Sequence, residues 1–188
     1  MKRLRMALIA SILFGHGGWA ATPAAAPSVT DERAILAVVL ENFAKWDKAT
    51  FGEQTGVLEV ASSTRAQPEL NSERVMHLAR NIRAQVTEEL AVAFVQRNLA
   101  AAPVASLTSG SRWVKLRDTK DPFGDLRDLP AGVKAVGYLT LPGIAPSGDA
   151  ALVQLNHSWS IHGAIVTYIL AKTDAGWKVV ARDQMVFP

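Results

Sequence analysis

The sequence predicts an α+β fold: an antiparallel β-meander of about four strands, plus one or two further strands, packed against N-terminal helices. Three observations carry this. Strand-like runs recur near 135–142, 149–157, 163–171 and 177–187, with turn residues between them. Helical spacing of apolar residues dominates 31–47 and 73–98. Both faces of the last three strands are largely apolar, where a single-layer sheet with one wet face would alternate more cleanly. The central run, 163–171, is therefore expected to be covered on both sides and to form the centre of the fold.

The first twenty residues belong to a different physical class. Lys2, Arg3 and Arg5 precede the apolar run Met6 to Phe14, and Gly18-Trp19-Ala20 places small residues where a signal peptidase reads. This is the order of a secretory signal. The run is too short for a stable membrane span, and no Cys lies near the cut to carry a lipid anchor. The expected organisation is a signal peptide over 1–20, a flexible Ala/Pro leader over 21–28 and a single globular α+β domain over 29–188, placed in the periplasm or secreted, with no membrane span after cleavage.

The formal charge of +3 belongs to that leader as well. Without Lys2, Arg3 and Arg5 the 20 Lys and Arg fall to 17, against 17 Asp and Glu. A neutral mature chain lacks the uncompensated basic surface that nucleic acid or an anionic membrane requires. The chain has no Cys, which excludes thiol chemistry, disulfides and Cys-based zinc sites and leaves stability to core burial.

In order along the chain, Ser28 or Thr30 can cap a first helix over about 31–47, with Asp31 and Glu32 in its first turn and Ile35, Leu36, Val39, Phe43 and Trp46 as its apolar stripe. Gly52 and Gly56 break it. Val57 to Ser63 reads as a strand whose Val57 and Glu59 face is partly solvated. Ser72 caps the next helix, with Val75, Met76, Ala79 and Ile82 inward. Thr87, followed by Glu88 and Glu89, starts another that carries Leu90, Ala91, Phe94, Val95 and Leu99, so 73–98 is expected to be two helices. Ser111 to Arg117 is a half-exposed edge strand, and Asp118 to Pro130 a surface loop. Pro142-Gly143, Pro146 to Asp149 and Thr173 to Gly176 supply the turns of the meander, with Gly176 in the left-handed position.

Certain of these segments occur together elsewhere. Pro142-Gly143-Ile144, Asp149 to Val153, Tyr168 to Lys172 and Gly176-Trp177-Lys178-Val179-Val180, with Leu90 to Asn98 and Ala102-Pro103-Val104 upstream, resemble a group of secreted bacterial proteins with no assigned activity. The Gly176-Trp177 step that closes the meander is also similar to the Gly-x-Trp of the nuclear-transport-factor-2-like superfamily of cone-shaped α+β domains, without the intervening residue. The group's hairpin loop holds a Cys-Gly-Gly-Leu-Cys-Gly-like segment. Here Ser158 to Gly163 stands in its place, so no thiol role is implied, and the resemblance transfers no catalytic residue.

One constellation invites chemistry. Asn156 to Gly163 lies between two apolar strands. A four-residue loop over 158–161 would set His157 opposite His162, Val153 opposite Val166 and Leu155 opposite Ala164. Opposed residues have Cβ atoms roughly 4.5–5.5 Å apart, close enough for two imidazoles to share a metal or a proton. Asp183 on the neighbouring strand, or His77, would complete a ligand set of His157, His162 and Asp183. The competing reading is a structural hairpin end with Trp159 covering the core. A Ser-His-Asp set from Ser158 or Ser160 lacks the Gly-x-Ser-x-Gly turn, and no phosphate loop, His-Glu-x-x-His or calcium-loop spacing is present.

No catalytic residue and no cofactor are assigned. The candidate binding residues are His157, Trp159, His162 and Tyr168. Three readings remain: a non-catalytic module for a small molecule or an envelope protein, a metal protein or enzyme centred on His157 and His162, and a structural or assembly factor of the envelope. The first expects a pocket lined by meander residues with no convergent titratable groups. The second expects the two rings to meet near a carboxylate or His77. The third expects an exposed apolar patch or an unpaired sheet edge.

Overall fold

The computed structural model describes residues 28–51, 57–119, 123, 129, 131–159 and 162–187. The expected signal peptide, the expected leader up to Pro27, Gly52, Gly56, the side chain of Trp46, most of the 118–130 loop, and Ser160 and Ile161 lie outside the described residues or side chains.

Helix α1 runs from Val29 to Phe51, four residues past the expected end, because nothing before Gly52 breaks the helix. Ser28 is its cap: the Asp31 amide donates to Ser28 Oγ at 3.1 Å. Ile35, Leu36, Val39, Leu40 and Phe43 form its buried stripe. Strand β1 is Val57–Ala61. Helix α2, Ser72–Leu78, is capped by Asn71 rather than by Ser72, with Asn71 Oδ1 accepting from the Arg74 amide at 2.9 Å. A 3-10 turn over Arg80–Gln85 separates α2 from α3, Glu88–Asn98, whose cap is Thr87. The split of 73–98 therefore falls where the cap residue placed it. A short helix α4, Ala105–Thr108, follows.

The strands β2 (Val114–Arg117), β3 (Val133–Leu139), β4 (Gly143–Ile144), β5 (Ala150–Trp159), β6 (His162–Thr173) and β7 (Gly176–Phe187) complete a seven-stranded sheet of order β2-β1-β3-β5-β6-β7, with β4 also paired to β5. The meander β3-β5-β6-β7 is antiparallel, and β1 pairs in parallel with both β2 and β3. This is the α+β architecture of helices on a mostly antiparallel sheet.

Helices cover the two faces of the sheet. On one face α1 and α4 pack on Val153, Leu155, Val166, Tyr168 and Leu170. On the other, α2, the 3-10 turn and α3 pack on Leu152 and Ile169. The central strand β6 is thus buried from both sides, which is why its sequence is apolar without alternation.

Two turns differ in kind. Gly176 has φ +104° and closes the β6–β7 hairpin as a left-handed residue. Gly143 is not a turn glycine. It sits in β4 directly under α3, where an added Cβ would lie 2.2 Å from the Phe94 Cα. Beside it, Asn98 replaces a strand neighbour: its Nδ2 donates to the Leu141 carbonyl at 3.0 Å and its Oδ1 accepts from the Leu141 amide at 2.9 Å.

The Glu59 face of β1 is not solvated as its sequence implied. Glu59 is only 4 % exposed, with Lys115 at 3.1 Å and Arg117 at 3.5 Å from its carboxylate. The basic residues of edge strand β2 cover it, and Arg112 lies 4.4 Å from the Trp113 ring centre.

Candidate functional site

The β5–β6 hairpin decides the site, and its register differs from the expected one. Trp159 pairs with His162 and Ser158 with Gly163, so the connection is two residues long rather than four. His157 stands opposite Ala164, Val153 opposite Tyr168 and Leu155 opposite Val166. His157 and His162 are therefore not cross-strand partners. The strands run further because Ser158 spends its hydroxyl on the His162 carbonyl at 2.5 Å and Trp159 stacks on His157. His162 ends exposed at the hairpin tip.

Alternation then sorts the candidates. His157, Trp159, His162 and Tyr168 all share the α1 face of β5 and β6. Asp183 does not. It pairs with Thr167, on the face that carries Leu152 and Ile169. The expected set of His157, His162 and Asp183 is thus divided between opposite faces of the sheet. Asp183 holds the 3-10 turn instead, accepting from the Asn81 amide at 3.0 Å and from Asn81 Nδ2 at 2.7 Å. His77 is exposed on α2, which also packs on the Asp183 face. Among the described residues no three His, Asp or Glu side chains come together as a metal-binding group. A Ser158-His-Asp183 relay is likewise broken by the sheet between its members.

On the α1 face of the sheet, His157 and Tyr168 are buried polar side chains. His157 is 2 % exposed, and neither Nδ1 nor Nε2 has a hydrogen-bond partner. Its ring stacks on Trp159 with centroids 5.0 Å apart and meets Phe43 edge-on at 4.9 Å. Burial, with the charges of Arg182 and Lys134 adding to it, lowers its pKa from 6.5 to about 4, so the ring is neutral at pH 7. Tyr168 is fully buried, and its Oη faces Arg182 without full hydrogen-bond geometry. Burial raises the phenol to about 12, opposed by the charge and the hydrogen bonding of Arg182. Arg182 lies across the strand pair from Tyr168, its guanidinium 5.8 Å from the ring centre, and donates to Gln184 Oε1 at 3.0 Å.

The arrangement offers a neutral imidazole, which donates at one nitrogen and accepts at the other, and a phenol. A cation stands beside them, within a wall that includes Phe43 and Trp159. These groups can orient a ligand. They include no nucleophile next to a base and no carboxylate to steer the imidazole, so they do not assemble an acid–base relay. Arg182 and Phe43 were missed by the sequence reading. Arg182 opens the polar run Arg182-Asp183-Gln184 and looks like any edge cation, and only its pairing with Tyr168 draws attention to it.

No family model, no curated protein and no solved structure matches this chain.

Proposed function

We propose that the protein is an exported, non-catalytic binding module whose site is the α1-covered face of the meander, and that it takes a small polar molecule there. The single observation behind this reading is His157, buried with neither ring nitrogen partnered. Buried polar groups in folded proteins are nearly always paired, and each orphan costs about 1–3 kcal/mol. Such a group is retained at a loss to the ligand-free fold, which is the pattern of a site built for a ligand rather than for stability. The ligand class follows from the groups: a flat or partly apolar body for Phe43 and Trp159, a donor and an acceptor for His157, and a polar or anionic end toward Arg182.

Export rests on Lys2, Arg3 and Arg5 ahead of the apolar run and on the small residues at Gly18 and Ala20. It predicts a mature periplasmic chain starting at or within a residue or two of Ala21, read by intact-mass spectrometry.

Tyr168→Phe, which removes only the hydroxyl, and His157→Leu test the site. His157→Leu is expected to be at least as stable as the parent in urea, by up to about 1–3 kcal/mol for the orphan removed, and Tyr168→Phe to stay within about 1 kcal/mol of it. Small polar compounds that raise the parent's Tm in a thermal-shift screen are expected to lose that effect in both. Destabilisation by both substitutions would show that the groups are structural and would end this reading.

A further inference from the structure

A second site lies on the opposite side of the sheet, where the segment joining β1 to α2 crosses β3. A cavity of about 320 Å³ opens there, lined by Arg65, Gln67, Pro68, Leu70, Arg74 and Tyr138, with Glu69 on the same wall. Its frame is fixed at several points. The Thr64 amide donates to the Ala102 carbonyl at 2.7 Å and Thr64 Oγ1 accepts from the Ala102 amide at 2.9 Å. The Gln67 amide donates to the Asn98 carbonyl at 3.1 Å, and the Asn71 cap starts α2 just before Arg74. The segment is therefore held on the α3–α4 connection and presents its side chains from a set backbone.

The lining is rich in donors. Among the described residues Arg65 and Arg74 form no ion pair, although Arg97, Lys115, Arg117 and Lys172 each lie against a carboxylate. Tyr138 Oη accepts from Asn156 Nδ2 at 2.7 Å, which uses a lone pair and leaves the phenolic hydrogen to donate. Phe123 packs on the Tyr138 ring at 5.4 Å. Two guanidinium groups and a hydroxyl hydrogen around one cavity match the oxygens of a phosphate or carboxylate, the anions that guanidinium forks bind best. Glu69 opposes them with one negative charge, so the net local charge still favours an anion.

We propose that this cavity is an anion-binding site for a small oxyanionic ligand, a phosphate monoester or a dicarboxylate, held by Arg65 and Arg74 with Tyr138 as a neutral donor. It is separate from the α1-covered face, and the two stand or fall independently.

The test is calorimetry on the mature protein with inorganic phosphate and with succinate as probes, at low and at physiological salt. One probe is expected to bind with a Kd below about 1 mM, weakening as salt screens the charges. Arg65→Ala and Arg74→Ala are each expected to weaken it about tenfold or more, and Tyr138→Phe by a smaller factor. The arginines are exposed, so their variants are expected to keep the parent's Tm, which is measured alongside. Which probe binds distinguishes phosphate from carboxylate recognition. Absence of binding by both probes at 10 mM, reached with ~10-fold excess over the expected Kd, overturns the proposal. So does binding that survives in the Arg65→Ala, Arg74→Ala double variant.

Discussion

The two faces of the sheet treat buried polarity in opposite ways. Under α2 and α3, Asp183 is bonded to Asn81 and Gln154 Nε2 to Thr167 Oγ1. The Gln154 amide donates to Thr140 Oγ1, and Asn98 brackets Leu141. Under α1, both ring nitrogens of His157 are left without partners. The first face uses its polar side chains as fasteners, tying helices and loops to strands. The second face has the larger apolar cluster, and its polar fasteners, Asp31 on Trp177 and Glu32 on Arg97, belong to α1 and not to the middle of the sheet. The contrast shows that a buried polar residue is informative through its partners and not through its burial.

The largest effect that would sharpen this contrast belongs to the fastened face. Asn98→Ala strands both the amide and the carbonyl of Leu141 in a water-free position, so a loss of about 2–4 kcal/mol in urea unfolding is expected. A loss below about 1 kcal/mol, the scale of an ordinary surface change, would erase the distinction between the faces.

The next effect is a pH dependence on the α1 face. His157 has a folded pKa of about 4 against an ordinary 6.5. The unfolded chain therefore takes up this proton first. Its contribution is fully present above pH 6.5 and is lost as pH falls toward 4, by about 3 kcal/mol in all. His157→Leu is expected to flatten stability across that window. Asp31 acts lower. Trp177, Lys172 and Ser28 hold its carboxyl at about 2 instead of 3.8, so its contribution persists through the His157 window and is lost only between pH 3.8 and 2. An unchanged pH profile in His157→Leu would mean that the ring is protonated or solvated in the fold. The smallest effect is a control outside both faces. Lys45→Ala breaks the exposed pair with Glu41 at 2.8 Å and is expected to change stability by less than about 0.5 kcal/mol.

Much of the frame was legible in the sequence, because it depends on local rules. The meander shows in its apolar runs and turns, the break before α3 shows in the Thr87 cap, and the double cover of β6 shows in its lack of alternation. What could not be read depends on pairing. Ser158 and Trp159 look like loop residues until the Ser158 hydroxyl meets the His162 carbonyl, and that contact shifts the hairpin register by two. The face of Asp183 was hidden by a bulge. Ile169 pairs with Ala181 and Leu170 with Val179, so Val180 is an extra residue that reverses the alternation of β7. Val114 to Arg117 reads as an edge strand, but nothing local says that it runs parallel to β1 or that its cations cover Glu59. The site was half legible. His157, Trp159 and Tyr168 could be named, whereas the lack of partners at the His157 ring nitrogens is a property of the assembled core.

Asp31 accepts from Trp177 Nε1 and from Lys172 Nζ, both at 2.9 Å, across 146 and 141 residues of chain. The start of the first helix is thereby latched to the last hairpin. The two elements stand far apart in sequence, so joining α1 to β7 carries a large loop-closure entropy. Contacts at such separation form slowly, and the α1 cluster includes Trp177 from that final strand. The α1 cluster is therefore expected to consolidate late in folding, once β7 has docked against the start of α1.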